Sequence, residues 1–169
     1  DVCSSDLIGD AFAIAVAEGY AKAWYKNKVV PLHAKVVKWD KLKYHGLQGA
    51  ELVRGSYLCV PLSFLAEVFH ASYEEKENGT VVNMRLEDER RLQFARGSIG
   101  CVIDDTLRSM YCEAIQREGE LFVSIEWFVK YFYGLHVSFC NGVMYITDHF
   151  VDLSTFMADL IKDLFEEEK

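Results

Sequence analysis

The chain has 169 residues, of which 51% are hydrophobic and 26% charged, and its net charge is −8. That length suits one ordinary domain or two small ones, and the composition excludes a disordered chain. The negative balance argues against nucleic acid or an anionic membrane surface as the main partner, and no run of about twenty apolar residues offers a membrane span.

The opening DVCSSDL matches the translation of a common sequencing-adapter tail, so residues 1–7 are expected to be non-native and genuine sequence to begin near Ile8. The chain is then expected to be a fragment whose targeting signal lay upstream. Ile8 to Lys26 predicts an alanine-rich helix, capped by Asp10, with Phe12, Val16 and Tyr20 on one face. Val29 to Trp39 reads as extended chain, since Pro31 cannot sit inside a helix. Leu42 to Gly55, with three glycines, reads as loop and short strand. Residues 22 to 43 hold seven lysines and one acid, Asp40, and the C-terminus ends in Glu166, Glu167, Glu168 and Lys169; both are expected to be solvated.

A repeat follows. GSYLCVPLSFLAEVF (55–69) and GELFVSIEWFVKYF (119–132) superpose at an offset of 63. Val60 meets Val123, Pro61 meets Ser124, and Leu62 meets Ile125. Phe64, Leu65, Val68 and Phe69 meet Trp127, Phe128, Tyr131 and Phe132. Their spacing makes one helical stripe, with Glu126 and Lys130 as an i, i+4 pair on the wet side. Each stripe is followed by a hairpin. Asn141-Gly142 is the strongest turn signal, since both residues tolerate positive φ. In the first unit Tyr73 to Glu75 and Thr80 to Arg85 flank Asn78-Gly79, and a strand Arg91 to Ala95 follows the acidic turn 87–89. The N-terminal third shows no counterpart of its own kind. A last helix, Ser154 to Phe165, carries Phe156, Leu160, Ile161 and Leu164 on one face and is expected to dock onto the same core. The predicted fold class is α+β: short helices packed on small antiparallel sheets, two similar strand-helix-hairpin units, and helices at both ends.

No residue set spells out a reaction. The five histidines, at 33, 45, 70, 136 and 149, share no i, i+2 or i, i+4 ligand spacing, so neither metal nor cofactor is expected. The cysteines, at 3, 59, 101, 112 and 140, form no CxxC, and pairing among the last four is open. Nucleophile-elbow, Walker and dinucleotide glycine patterns are absent. Asp104 and Asp105 point to opposite faces as strand neighbours and, with Thr106 next, read as a helix cap. No catalytic residue is expected. Trp127 and Tyr131 fall on the buried stripe. Tyr133 lies just off it and is the candidate ligand-contact residue.

Tyr57, Val60, Pro61, Leu62, Phe64, Leu65, Ala66 and Glu67, followed by a hairpin and Gly97-Ser98, resemble the copper amine oxidase N-terminal-like (stalk) domain. The second unit resembles it more loosely at Gly119, Val123, Ile125, Phe128 and Gly134, departing at Ser124 and Lys130. The resemblance implies a non-catalytic spacer or interaction module of an exported bacterial protein, extracellular or wall-associated, with cell-wall polymer, glycan or protein as partner. It implies an organisation of 8–52 as closing helix and linker of an upstream domain, 53–150 as the tandem stalk-like domain, and 151–169 as docking helix and acidic tail. The N-terminal helix is also similar to the closing helix of hydrolases such as peptidoglycan amidases. That likeness implies, as the alternative, an accessory tail of a secreted hydrolase whose catalytic residues lie outside this chain.

Overall fold

The computed structural model describes residues 12–17, 20–25, 28–30, 37–45 and 51–166, with side chains described at 13–17 and 57–163. The lysines of 22–43, His33, Asp10, Cys3, Leu164 and the acidic end lie outside the described side chains. The fold is α+β, with short helices packed on antiparallel sheets.

The elements fall into two matching runs. The first comprises β1 (Phe12–Ala17), β2 (Tyr20–Tyr25), β3 (Lys28–Val30), β4 (Val37–His45), β5 (Glu51–Pro61), α1 (Leu62–Phe69), β6 (Ser72–Lys76) and β7 (Val81–Arg85). The second comprises β8 (Arg91–Ala95), β9 (Gly100–Ile103), β10 (Thr106–Ser109), β11 (Ile115–Arg117), β12 (Glu120–Ser124), α2 (Ile125–Tyr133), β13 (His136–Cys140) and β14 (Val143–Thr147). A final helix, α3 (Thr155–Glu166), has no equivalent in the first run.

The runs interlock. Hairpin β6–β7 of the first continues into β8–β9–β10 of the second, giving a sheet of order β10-β9-β8-β7-β6. Hairpin β13–β14 of the second pairs with β1–β2–β3 of the first, giving the order β13-β14-β1-β2-β3. Between them lies a four-stranded sheet, β11-β12-β5-β4. At its centre Cys59 pairs with Ser124, Val60 with Val123 and Pro61 with Phe122. Val60 and Val123 are each other's equivalents, and so are Cys59 with Phe122 and Pro61 with Ser124. The pair therefore sits on a local two-fold axis, contacting itself as an isologous interface does.

The helices obey the same symmetry. Pro61 ends β5 in extended conformation (φ −62°, ψ 142°) as N-cap of α1. Its missing N–H is no loss there. Ser124 holds the matching place before α2, and its Oγ accepts the Trp127 amide at 3.3 Å. The departure from proline thus exchanges one helix-starting device for another. His70 (φ 54°) and Gly134 (φ 60°) close the two helices in the left-handed region. Leu62, Phe64, Leu65, Val68, Ile125, Trp127, Phe128, Val129 and Phe132 are buried in one core, together with Ile14, Val16, Val82, Met84, Leu92, Phe94, Met144 and Ile146 from the two outer sheets. The Glu126–Lys130 pair forms on the wet side at 2.6 Å.

Several expectations are corrected. The predicted N-terminal helix is two strands, β1 and β2, so helices do not stand at both ends. Alternate residues of β1 face opposite ways: Ile14 and Val16 enter the main core, Ala13 and Ala15 a second cluster. Sheet pairing on both edges outweighs alanine's helix propensity. The N-terminal third does have a counterpart, because β1–β4 take the places of β8–β11. Residues 42–55 include the ends of a long hairpin, with Lys41 opposite Gly55 and His45 opposite Glu51. Asp104 (φ 46°) and Asp105 (φ 69°) form a two-residue hairpin turn rather than a helix cap, and Glu118-Gly119 does the same. Both are turns of the kind that Asn141-Gly142 makes. The α3 stripe is also rotated from the expected one. Of its expected stripe, Ile161 is buried as read, and Ala158 with it, whereas Phe156 is 72% and Leu160 43% exposed, and the helix docks on the second cluster instead of the main core.

Candidate binding face

The two outer sheets have equivalent backbones, but their outer faces have different fates. In the sheet containing β14, Ala15 stands opposite Tyr145 and Ala17 opposite Val143. In the sheet containing β7, the same places are held by Gln93 opposite Asn83 and Ala95 opposite Val81. The first face is covered by α3: Ala13, Ala15, Val143 and Tyr145 pack with Leu153, Ala158 and Ile161. Small alanines leave the helix room to approach.

Among the described residues, nothing covers the second face. Strands β7 and β8 alternate between buried and accessible residues. Val82, Met84, Leu92 and Phe94 enter the core, so Asn83, Arg85, Arg91 and Gln93 must point out. Glu74, Asn83, Gln93 and Val102 stand side by side across four strands. Ser72, Arg85 and Arg91 form the next row. These rows, with Asp105 at one end, line an open groove of about 620 Å³.

Both guanidinium groups of the groove are paired at its rim. Arg91 reaches Asp104 at 3.8 Å and Asp105 at 3.6 Å, and the Asp104 carboxylate accepts the Arg91 amide at 2.9 Å. Arg85 lies 3.7 Å from Glu89. All are exposed, and such pairs orient side chains more than they stabilise. Nearby, Arg90 pairs with Asp88 at 2.7 Å, donates to the Phe132 carbonyl at 2.8 Å and sits over the Phe132 ring. The Arg90 hydrogen bonds hold the Asp88 carboxyl below its usual range. Tyr73, in the row of Met84 and Leu92, packs against the main core on the side away from the groove, where it donates to Glu75 at 2.6 Å, and burial pushes its phenol upward.

Tyr133 is half-buried rather than exposed, and it does not line this groove. Its ring stacks on Phe69 at 4.1 Å. Its hydroxyl is buried without a hydrogen-bond partner, and burial pushes its pKa up to about 12. Tyr131, expected in the core, is the exposed one at 45%, stacked on the outer side of Trp127. It lies one residue, about 100°, round the helix from Phe132, at the edge of the buried arc. The smaller Val68 fits under the rim at the matching place, and its counterpart on the second helix keeps its phenol in water.

The described histidines stay apart: His70 caps α1, His136 opens β13, and His149 pairs with Asp148 at 3.0 Å. Among the described residues no three His, Cys, Asp or Glu side chains gather in a way that could hold a metal ion. No described helix is long and apolar enough to cross a membrane.

Asn83 and Gln93 were not singled out by sequence reasoning. The signal was the contrast between VVNMR/RLQFA and AIAVA/VMYIT, visible only once these segments are known to be equivalents. Each amide offers donors and an acceptor together. With a carboxylate in the same row and two guanidinium groups in the next, at strand spacing of about 4.8 Å, the two rows can hydrogen-bond a polyhydroxylated ligand along their length. No family model, no curated protein and no solved structure matches the chain. The resemblance to the stalk domain therefore rests on the residues quoted for it.

Proposed function

We propose that this chain is a non-catalytic stalk or interaction module of an exported bacterial protein. It positions an upstream domain and presents the β6–β10 face to a glycan, cell-wall polymer being the first candidate. The observation that carries this reading is the unequal treatment of two equivalent sheet faces, one apolar and covered by α3, the other polar, grooved and, among the described residues, uncovered. The stalk-like residues from Tyr57 to Glu67 support it, because in that family such domains are appended to exported proteins and carry no chemistry. Asp104, Asp105 and Glu89 are tied in exposed ion pairs at the rim of this face, and among the described residues Glu74 stands alone in the row beside Asn83, so the face's carboxylates do not converge on a point. The helix that suggested a hydrolase's closing segment is a pair of strands, so the accessory-tail alternative loses that support.

The test is co-sedimentation of the purified chain with insoluble peptidoglycan, with cellulose and chitin in parallel. The Asn83→Ala/Gln93→Ala double variant should lower retention by about tenfold or more, since two hydrogen-bonding side chains contribute ~1 kcal/mol each. Retention unchanged by the double variant, or absent for all three polymers, refutes the glycan reading. Release of soluble sugar or peptide from the pellet refutes the non-catalytic one.

A further inference from the structure

The central sheet has a second face, turned away from the main core. Tyr57 and Cys59 of β5 and Phe122 of β12 project onto it, and residues 110–114 cross over it. Tyr111 lies against Tyr57 with ring centroids 6.1 Å apart. Cys112, the next residue, is fully buried, and its Sγ lies 3.8 Å from Sγ of Cys59, which is also fully buried. The two thiols are 53 residues apart in sequence and touch in space. Their surroundings, Ile115, Phe122 and Tyr57, are apolar.

We infer that Cys59 and Cys112 are a disulfide-forming pair, which in an oxidising compartment locks the 110–114 segment onto β5. The geometry needs little change. A disulfide requires the sulfurs at about 2.05 Å, so they must close by less than two ångströms. Cys59 is held in a ladder, opposite Val37 on one side and Ser124 on the other. Cys112 belongs to neither helix nor strand, and its segment is anchored at its ends, where Met110 donates to Ile99 at 2.7 Å and Ala114 to Ser98 at 3.0 Å. The approach is therefore made by Cys112. The bond would close a loop containing α1 and the whole of β6–β10, which includes the bare polar face. The remaining described cysteines are placed differently: Cys101 is buried in the main core, and the Cys140 sulfur meets Thr155 Oγ1 at 3.8 Å.

The oxidant is a small or protein disulfide, such as oxidised glutathione. One cysteine thiolate displaces the first glutathione thiolate and forms a mixed disulfide. The second cysteine thiolate displaces the other glutathione. Two electrons pass to glutathione, the two thiol protons end on its two sulfurs, and one S–S bond is made for the one broken. Neither sulfur is accessible in the closed fold, and the hydrogen bond to Cys112, with burial, raises the Cys59 thiol pKa. Exchange therefore takes place during folding or when the 110–114 segment opens, and the finished bond is protected by the same burial.

The pairing does not depend on the proposed function. The experiment refolds the full chain in a mixture of reduced and oxidised glutathione, traps remaining thiols by alkylation, and maps cysteines by mass spectrometry of a non-reducing digest. The expected result is a peptide linked through Cys59 and Cys112, lighter than the separate peptides by two hydrogens, with Cys101 and Cys140 alkylated. The oxidised protein should melt on the order of 10 °C above the same protein in a phosphine reductant, the scale implied by a loop of this length. Cys112→Ala should remove that difference and Cys101→Ala should keep it. Recovery of Cys59 and Cys112 both alkylated, or of either joined to another cysteine, overturns the inference; the wild-type map decides this even if a variant fails to fold. A melting point unmoved by reductant overturns the lock.

Discussion

Phe128→Ala should be among the most damaging single changes in this chain. The side chain is fully buried. Its ring has Phe132 at 4.9 Å, Phe69 at 6.0 Å, Tyr133 at 6.1 Å and Trp127 at 6.3 Å between centroids. Truncating a buried phenylalanine costs about 3–5 kcal/mol. Aromatic pairs at such distances are worth roughly 0.5–1.5 kcal/mol beyond burial, which places this site in the upper part of that range, ~4–5 kcal/mol. Leu65 is the equivalent residue in α1 and is also fully buried, so Leu65→Ala should cost ~2–5 kcal/mol. Lys130 is two residues from Phe128, and its 2.6 Å bond to Glu126 is partly exposed. Lys130→Ala should therefore cost well under ~1 kcal/mol. Urea unfolding followed by tryptophan fluorescence suits the comparison, because Trp127 packs against Phe128 and reports the site directly. A cost below ~2 kcal/mol for Phe128→Ala, or equal costs at 128 and 130, would show that the matched helical stripes do not carry the core.

Three further outcomes are expected. Tyr133→Phe should leave stability unchanged or raise it by up to ~1 kcal/mol in the same assay, because the hydroxyl removed is buried and has no hydrogen-bond partner; a loss above ~1 kcal/mol would contradict that placement. The Asp88 carboxyl is held below its usual range by Arg90, so its contribution is complete above the unfolded value of about 3.9 and is lost as pH falls through the depressed folded value. Wild type should accordingly lose more urea resistance between about pH 5 and pH 2 than Asp88→Asn, and parallel pH profiles would deny the pairing a role. Finally, residues 1–87 and 88–169 expressed separately should each fail to fold and should assemble when mixed, because hairpin β6–β7 completes its sheet with β8–β10, and β13–β14 with β1–β3. Gel filtration and circular dichroism test this, and a cooperatively folded half would refute the interlocked arrangement.

The parts of the fold legible in the sequence were those with strong local signals. Val-Pro-Leu and Val-Ser-Ile followed by aromatic stripes located both helices, and Asn141-Gly142 located the last hairpin. Strand β8 was placed at its observed ends because RLQFA alternates cleanly and an acidic turn precedes it. The N-terminal strands were not legible. AFAIAVAEGYAKAW carries apolar residues on both faces of the strand, since β1 is covered by the main core on one side and α3 on the other. A strand buried on both faces loses its period of two and, when rich in alanine, imitates a helix. The same cause hid the longer repeat. Ala13 and Ala15 have become small and apolar where Arg91 and Gln93 are polar, so equivalent strands share a backbone and half of their pattern. The contact between Cys59 and Cys112 was also invisible, because it joins a strand to an irregular segment 53 residues away.

The candidate binding face was hidden for a related reason. No single strand of it contains an unusual motif; Asn83, Gln93 and Glu74 are ordinary outward residues when read one strand at a time. What distinguishes them is the comparison that the local two-fold makes available. A chain with two equivalent sheets and one additional helix must leave one outer face without that cover. An uncovered face needs only enough polarity to stay in water, and scattered lysine and glutamate would supply it. This face instead lines up a carboxylate and two amides in one row, keeps the guanidinium groups of Arg85 and Arg91 in the next, and ties Arg91 to Asp104 and Asp105 at the groove's end. Amides pay for nothing in solubility that charges would not provide better, but they present donors and acceptors in a fixed row. That choice of side chains is the physical ground for looking for a ligand here, and it makes Asn83 and Gln93 the residues on which the binding proposal stands or falls.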